Sequence, residues 1–284
     1  MRVLQLLTIY ISIVLTYLFF YTPSLREVLT STGSNYDTSG GFGPNQVATM
    51  LGFGIFLLVV RFFVNSKTIF YKALHLFLIA FMTYRALITF SRGGVYVAAI
   101  IIAAFIGTYY IYTSKKFRVK IISLVVLFGL VLTFTWVASS LNTFGLLEKR
   151  YANQDAIGNE KEDVTTGRKE LLASELNEFF DNPFFGVGVG KIKEIRFEKE
   201  GVIAASHNEM SRILAEHGIM GVIAFLILVI TPLVYRLKNK KNIFFYSFYI
   251  FWLLTINHSA MRIAAPAFIY GLSLLNFTYE KPPI

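Results

Sequence analysis

Apolar runs of about 20 residues, the length a helix needs to cross a hydrocarbon core, recur near 3–21, 46–64, 73–90, 93–112, 119–139, 210–235, 243–259 and 263–279. The pattern predicts an all-α integral membrane protein with about eight transmembrane helices, organised as one membrane domain over 1–284. A polar stretch of 67 residues, 141–207, breaks the series. It holds twelve of the seventeen acidic residues and nine basic ones, too many for a plain connection, so it reads as a folded outer cap. Within it Leu172, Leu176, Phe179 and Phe180 recur at helical spacing. They predict one amphipathic helix, capped by Thr165 or Thr166 and ending at Asn182-Pro183. The glycines of Gly186-Val187-Gly188-Val189-Gly190 then allow close backbone approach to a ligand or to a neighbouring helix.

Composition agrees with the pattern. A chain of 284 residues that is 55% hydrophobic and 15% charged has too little polar surface for a soluble globule, and its mean hydropathy is +0.58. A net charge of +10 in a soluble protein would suggest nucleic acid. Here the basic residues cluster between apolar runs, as Arg61, Lys67 and Lys72, then Lys115, Lys116, Arg118 and Lys120, then Arg236, Lys238, Lys240 and Lys241. These clusters alternate onto one side, which the positive-inside rule makes cytoplasmic. Both termini then face the cytoplasm. The 22–45 loop, the Ser91-Arg92-Gly93-Gly94 turn, the long polar stretch and the junction from His258 to Arg262 face outward. Membrane lipids are expected partners and nucleic acid is not. Absence of cysteine excludes disulfides, cysteine nucleophiles and thiolate metal sites. The run from Met1 to Tyr21 lacks a small-residue cleavage site and reads as a retained anchor.

Candidate chemistry gathers on the outer side. Arg92, between Ser91 and a glycine pair, sets a guanidinium at the membrane boundary, where it can bind phosphate or simply anchor a helix end. Arg85 lies deeper, where an unpaired charge costs roughly 3 kcal/mol or more, so it needs a partner or a wet cavity. His207, Ser211 and Arg212 share a helical face. A neutral His207 imidazole can take a proton from a hydroxyl, and the plainer reading of the cluster is helix capping. Glu216 and His217 are expected to pair with each other or with Arg212. Metal-binding spacings are absent: no H-x-x-x-H, no H-E-x-x-H and no D-x-D in the outer loop. Lys191 is followed by Ile192, so the glycine-rich stretch is no phosphate-binding P-loop. Neither a metal nor a cofactor is expected. Phe184 and Phe185 can stack on a pyranose or seat the loop on the bilayer.

In order, Gly41-Phe42-Gly43-Pro44-Asn45, Ser91-Arg92-Gly93-Gly94, Gly167-Arg168, Asn182-Pro183-Phe184-Phe185-Gly186-Val187-Gly188, His207-Asn208-Glu209-Met210 and Glu216-His217-Gly218-Ile219-Met220-Gly221 resemble the O-antigen ligase and polymerase superfamily. The resemblance covers about residues 40–235. It implies a glycosyltransferase that handles glycans carried on polyprenyl diphosphate at the outer face of the bacterial cytoplasmic membrane, without metal or nucleotide sugar. It further implies that Arg92 and Arg168 grip the diphosphate and that His207 activates the acceptor hydroxyl. Asn45, Asn208 and Arg212 join Arg92 and Arg168 as substrate-binding candidates. The acceptor is a glycan or a lipid, and attack opposite the leaving group predicts inversion at the anomeric carbon. Polymerisation of repeat units is the favoured reading, with ligation to a lipid A core or a protein as the alternative. A chain-length regulator or a flippase is the kind of protein partner such an enzyme has. A transporter would need related halves of discontinuous helices, which the sequence does not show, and a scaffold needs no Ser-Arg-Gly-Gly turn. Relatives of this kind place several more spans before the Gly-Phe-Gly-Pro-Asn segment, where this chain has one.

Overall fold

The computed structural model describes residues 2–275 apart from 67, 164, 166, 202, 203, 205, 239–241 and 259–262, and leaves aside the side chains of 2–6, 10, 200 and 238. Thr166 as a cap, Lys67, Lys240, Lys241, Arg262 and the end of the last predicted span (276–279) therefore lie outside the described residues. The chain divides into two compact units, Met1–Glu162 and Asp163–Ile284. Residues 141–162 of the long polar stretch belong to the first, and 163–207 to the second.

The first unit contains α1 (Arg2–Tyr21), α2 (Leu25–Val28), a 3-10 turn (Asp37–Ser39), α3 (Pro44–Val64), α4 (Ile69–Ile88), α5 (Arg92–Tyr112), α6 (Lys115–Asn142) and α7 (Leu146–Tyr151). Pro44 opens α3 at a position where its missing N–H is no loss. α1, α4 and α5 all pack on α3, and 78% of its most apolar stretch is buried, against 17% for α6. Lipid tails are as apolar as leucine, so packing rather than hydrophobicity holds such helices together, and small residues let the backbones close in. A Cβ on Gly94 would lie 2.6 Å from the Ala48 carbonyl carbon, and one on Gly54 would lie 2.5 Å from Ile11 Cγ2. α6 packs on α4, while α5 and α6 scarcely touch. Arg85 finds its partners at the end of α1, donating from Nη2 to the Leu18 carbonyl (2.9 Å) and to the Thr22 hydroxyl. It is a buried helix tie.

The second unit contains α8 (Arg168–Asp181), α9 (Lys191–Glu200), α10 (Glu209–Lys238), α11 (Phe245–His258) and α12 (Ala265–Ser273). α8 and α9 pack on α10, and α11 packs on both α10 and α12. Tyr249 and Tyr270 donate to the Val229 and Leu228 carbonyls of α10 (3.1 and 3.0 Å), so these hydroxyls are satisfied within the protein. Among the described residues the fold is all-helical apart from one isolated bridge, Gln154 to Glu160.

Among the described residues five helices, α3 to α6 and α10, are long and apolar enough to cross a membrane. Each matches a span expected from the sequence to within four residues at either end. α1 reaches 20 residues. α11 and α12 have 14 and 9 residues, about 21 and 14 Å at 1.5 Å per residue.

Two details of the long polar stretch differ from expectation. α8 begins after Gly167, which adopts a left-handed conformation and makes no side-chain cap. Asp163 organises that approach instead, its carboxylate accepting from the Thr165 hydroxyl (2.6 Å) and from the N–H groups of Thr165 (2.7 Å) and Gly167. In addition, α8 only half-buries its apolar stripe at Leu172, Leu176 and Phe179. Its buried residues are Glu175 and Glu178, and Phe180 is 71% exposed. The carboxylates turn inward because α9 offers cations to them, Arg196 to Glu175 (2.8 Å) and Lys199 to Glu178.

Candidate active site

In the first unit, Asn45, Ser91 and Arg92 come together. Asn45 lies in the first turn of α3 and accepts the Ser91 hydroxyl on its side-chain oxygen (2.7 Å). Ser91 is the residue before α5 and gives no side-chain cap to it. Asn45 thus fixes the turn that presents Arg92. That turn occupies only three residues between α4 and α5, and Phe90 takes a left-handed φ of 58°, a strained value for an aromatic residue. The Phe90 carbonyl accepts from Arg150 Nε (3.0 Å), while Arg92 Nη1 donates to the Arg150 carbonyl (3.3 Å). Lys161 completes the group, its ammonium donating to the Thr32 hydroxyl (2.8 Å). Burial holds Lys161 below the ordinary lysine range, and repulsion from Arg150 and Arg92 adds to this, with Asp155 opposing. Tyr151 stands beside the same cations. Burial pushes its phenol well above the ordinary range, Tyr96 adds to the shift, and Arg92 and Arg150 pull the other way.

Arg150 and Lys161 were not singled out from the sequence. Both sit in the long polar stretch, where basic residues are common and only the fold selects these two.

In the second unit, Arg168, His207 and Asn208 line one open-sided cavity with Thr165, Glu175 and Asn257, holding about 550 Å³ of empty space. Arg168 is the first residue of α8, and His207 lies two residues before α10. Asn208 caps α10, its side-chain oxygen accepting from the N–H groups of Met210 (2.9 Å) and Ser211 (3.3 Å). Glu175 pins the two helices together. One carboxylate oxygen takes Arg196 Nη2 and the other takes the Ser211 hydroxyl of α10. Arg212 is engaged by Glu209 and, at 4.0 Å, by Glu216. His217 is exposed, so the expected pairing of Glu216 goes to Arg212 and to the N–H of Gly190 (3.0 Å). The 141–207 signals that sequence reading missed here are Glu175 with Glu178 and Arg196 with Lys199. Their shared i, i+3 spacing marks matching faces.

The glycine-rich loop meets a neighbouring helix. α10 breaks at Gly218 (φ 58°, ψ −139°), and the 183–190 segment fills the break. Val187 and Gly188 donate to the Ala215 and Glu216 carbonyls (2.9 and 3.0 Å), and Ile219 donates to the Pro183 carbonyl (2.7 Å). Phe184 and Phe185 project outward, 71% and 82% exposed.

Arg92 and Arg168 share one electrostatic peculiarity. Each is the first residue of a helix, the end where backbone N–H groups already carry positive potential. A cation there gains nothing from its own helix, whereas an anion does.

A family model described as O-antigen ligase matches residues 77–226, just over half of the chain. The chain belongs to the O-antigen ligase family. No curated protein and no solved structure matches. The matched region of this family member takes in Arg92, Arg168, His207, Asn208 and Arg212, and leaves Asn45 outside. The family is one of glycan transfer, which places a lipid-linked glycan donor and an acceptor among its ligands, and the apolar helices make this member a membrane protein.

Proposed function

We propose that the protein is an inverting, metal-independent glycosyltransferase that polymerises polyprenyl-diphosphate-linked repeat units of a surface polysaccharide at the outer face of the bacterial cytoplasmic membrane. The observation that carries this reading is the shared cavity of Arg168 and His207 within a chain of the O-antigen ligase family. His207 accepts the proton of the acceptor hydroxyl as its oxygen attacks the anomeric carbon. The bond from that carbon to the diphosphate oxygen breaks, and the electron pair leaves with the diphosphate. Arg92 and Arg168 each neutralise phosphate charge in the transition state, which serves the leaving group as a metal would. Asn208 and Arg212 act by shaping the start of α10, and Asn45 by fixing the Arg92 turn. In this reading eight spans leave both termini cytoplasmic. A chain-length regulator or a flippase would work beside the enzyme.

The test is incubation of purified protein with synthetic polyprenyl-diphosphate repeat units and no added metal, with products resolved by size. A ladder is expected from wild type. His207→Ala is expected to lose about 10²- to 10⁴-fold in rate, the usual worth of a positioned general base. Transfer of single units onto a lipid A core or a protein, with no ladder, would replace polymerase by ligase. Undiminished transfer by both His207→Ala and Arg168→Ala would overturn the mechanism.

A further inference from the structure

The apolar part of α10 has a definite end. From Ile219 to Tyr235 the helix carries no charge, a run of about 26 Å at 1.5 Å per residue and close to the hydrocarbon thickness of a bilayer. Arg236 bounds the run on one side, and Glu216 and His217 bound it on the other, across the Gly218 break. Met220, Ile223 and Ile227 are 59%, 47% and 58% exposed along it, a face left for lipid. The break therefore falls where hydrocarbon gives way to headgroups.

The 183–190 segment is built into that level. In an unbroken helix the Ala215 carbonyl would accept from the Ile219 N–H. Here it accepts from Val187 (2.9 Å), and Ile219 donates to the Pro183 carbonyl instead (2.7 Å). Gly188 donates to the Glu216 carbonyl (3.0 Å) and Gly190 to the Glu216 carboxylate (3.0 Å). The segment thus replaces part of the α10 ladder, and a broken backbone so close to lipid is tolerated where protein supplies its partners. Phe184 and Phe185 are carried on this fixed turn with 71% and 82% of their surface exposed. Two adjacent phenyl rings held outward are poorly suited to water and well suited to the boundary between headgroups and acyl chains.

We infer that Phe184 and Phe185 form a wedge that inserts into the bilayer beside the headgroups at the Gly218 end of α10. The occupant of this surface is lipid, because Pro183, next to the ring pair, is bonded to the first residue of the apolar run. The wedge also positions the residues above it. Glu216, which takes the Gly190 N–H, stands 4.0 Å from Arg212, and Arg212 pairs with Glu209 in the first turn of α10. Contact with the bilayer is thereby relayed to the start of α10, just after His207 and Asn208, and sets the height of the Arg168 and His207 cavity above the leaflet. None of the chemistry proposed for that cavity is needed for this inference.

The chain has no cysteine, so single cysteines can be labelled in the full protein in nanodiscs. Phe184→Cys and Phe185→Cys, tested separately with a fluorophore attached, replace exposed side chains and leave the backbone bonds of the segment intact. Met220→Cys is the reference in lipid, and Glu170→Cys, exposed in the first turn of α8, is the reference in water. Lipid brominated near the headgroup end of its acyl chains is expected to quench both Phe positions as strongly as Met220, and aqueous iodide to quench Glu170 alone. Quenching of the Phe positions by iodide and not by brominated lipid would overturn the wedge and leave the rings free to stack on a sugar. Protection from both quenchers would mean that another protein surface covers the rings, and would overturn it equally. Phe184→Ser combined with Phe185→Ser is expected to lower energy transfer from the Glu170 fluorophore to an acceptor on the lipid headgroups, and unchanged transfer would overturn the positioning role. Every readout is taken on resting protein. A failed polymerisation assay with normal quenching defeats the transferase reading alone, and active enzyme whose labels see only iodide defeats the wedge alone.

Discussion

Arg92 and Arg168 open their helices in the same way, yet the two units hold them by different physics. Around Arg92 the support is steric. Gly94 lets α5 press on the Ala48 backbone, and Asn45 and Ser91 lock the turn by one hydrogen bond. Around Arg168 the support is electrostatic. An exposed Asp163 carboxylate shapes the approach, and the buried Glu175 to Arg196 pair ties α8 to α9, with Ser211 joining α10. A charged residue fixed by close packing has little freedom to move, whereas one fixed by carboxylates can be released by changing charge alone.

The comparison breaks most visibly at Glu175. Glu175→Ala leaves the Arg196 guanidinium buried and unpaired, and is expected to cost about 3–5 kcal/mol. Chemical denaturation in detergent, followed by Trp252 fluorescence, measures it. Glu175→Leu combined with Arg196→Met should recover most of that loss, since apolar replacement of both partners of a buried pair is often neutral. A smaller but purely steric effect is expected at Gly94→Ala. The added methyl meets backbone rather than a flexible side chain, so α5 must lift from α3 at about 1–3 kcal/mol, and no charge change elsewhere should rescue it. Asn208→Ala removes the cap of α10 and should cost about 1 kcal/mol, read as faster amide exchange at Met210 and Ser211.

The smallest effect is one of pH. The Thr165 hydroxyl first, then the Gly167 and Thr165 N–H groups, hold the Asp163 carboxyl below its usual range. A depressed carboxylate stabilises the fold above its unfolded pKa, about 3.9, and that stability is lost as pH falls through the lower folded value. The protection factors of the Thr165 and Gly167 amides should therefore be flat near neutrality and fall only in acid. Asp163→Asn should remove the acid dependence.

Helices that lipid must surround were legible in the sequence, because a span declares itself by length and hydropathy without knowledge of its neighbours. α3 to α6 and α10 were found for that reason. Arg92 and His207 were legible as candidate chemistry by type and by position at element boundaries, and Asn45 and Arg168 only through the family resemblance. What was not legible depended on pairing across the chain. Leu172, Leu176 and Phe179 looked like the buried face of α8 because periodicity assumes that apolar residues go inward. Those residues are only half-buried, and Glu175 and Glu178 are the fully buried ones because Arg196 and Lys199, some twenty residues later, neutralise them. Arg150 and Lys161 were hidden for the same reason, since nothing local separates them from Lys149.

The break in α10 carries a consequence for how this sequence can change. A Cβ on Gly186 would meet the backbone of Ala215, Glu216 and His217, and a Cβ on Gly218 would meet the backbone of Pro183 and Phe184. Each glycine leaves room for the main chain of the other's segment, so no side-chain substitution on one side can relieve a methyl added on the other. The two positions are linked without being able to compensate, and a search for second-site suppressors of Gly218→Ala should return changes that alter the length of the 183–190 segment rather than its side chains.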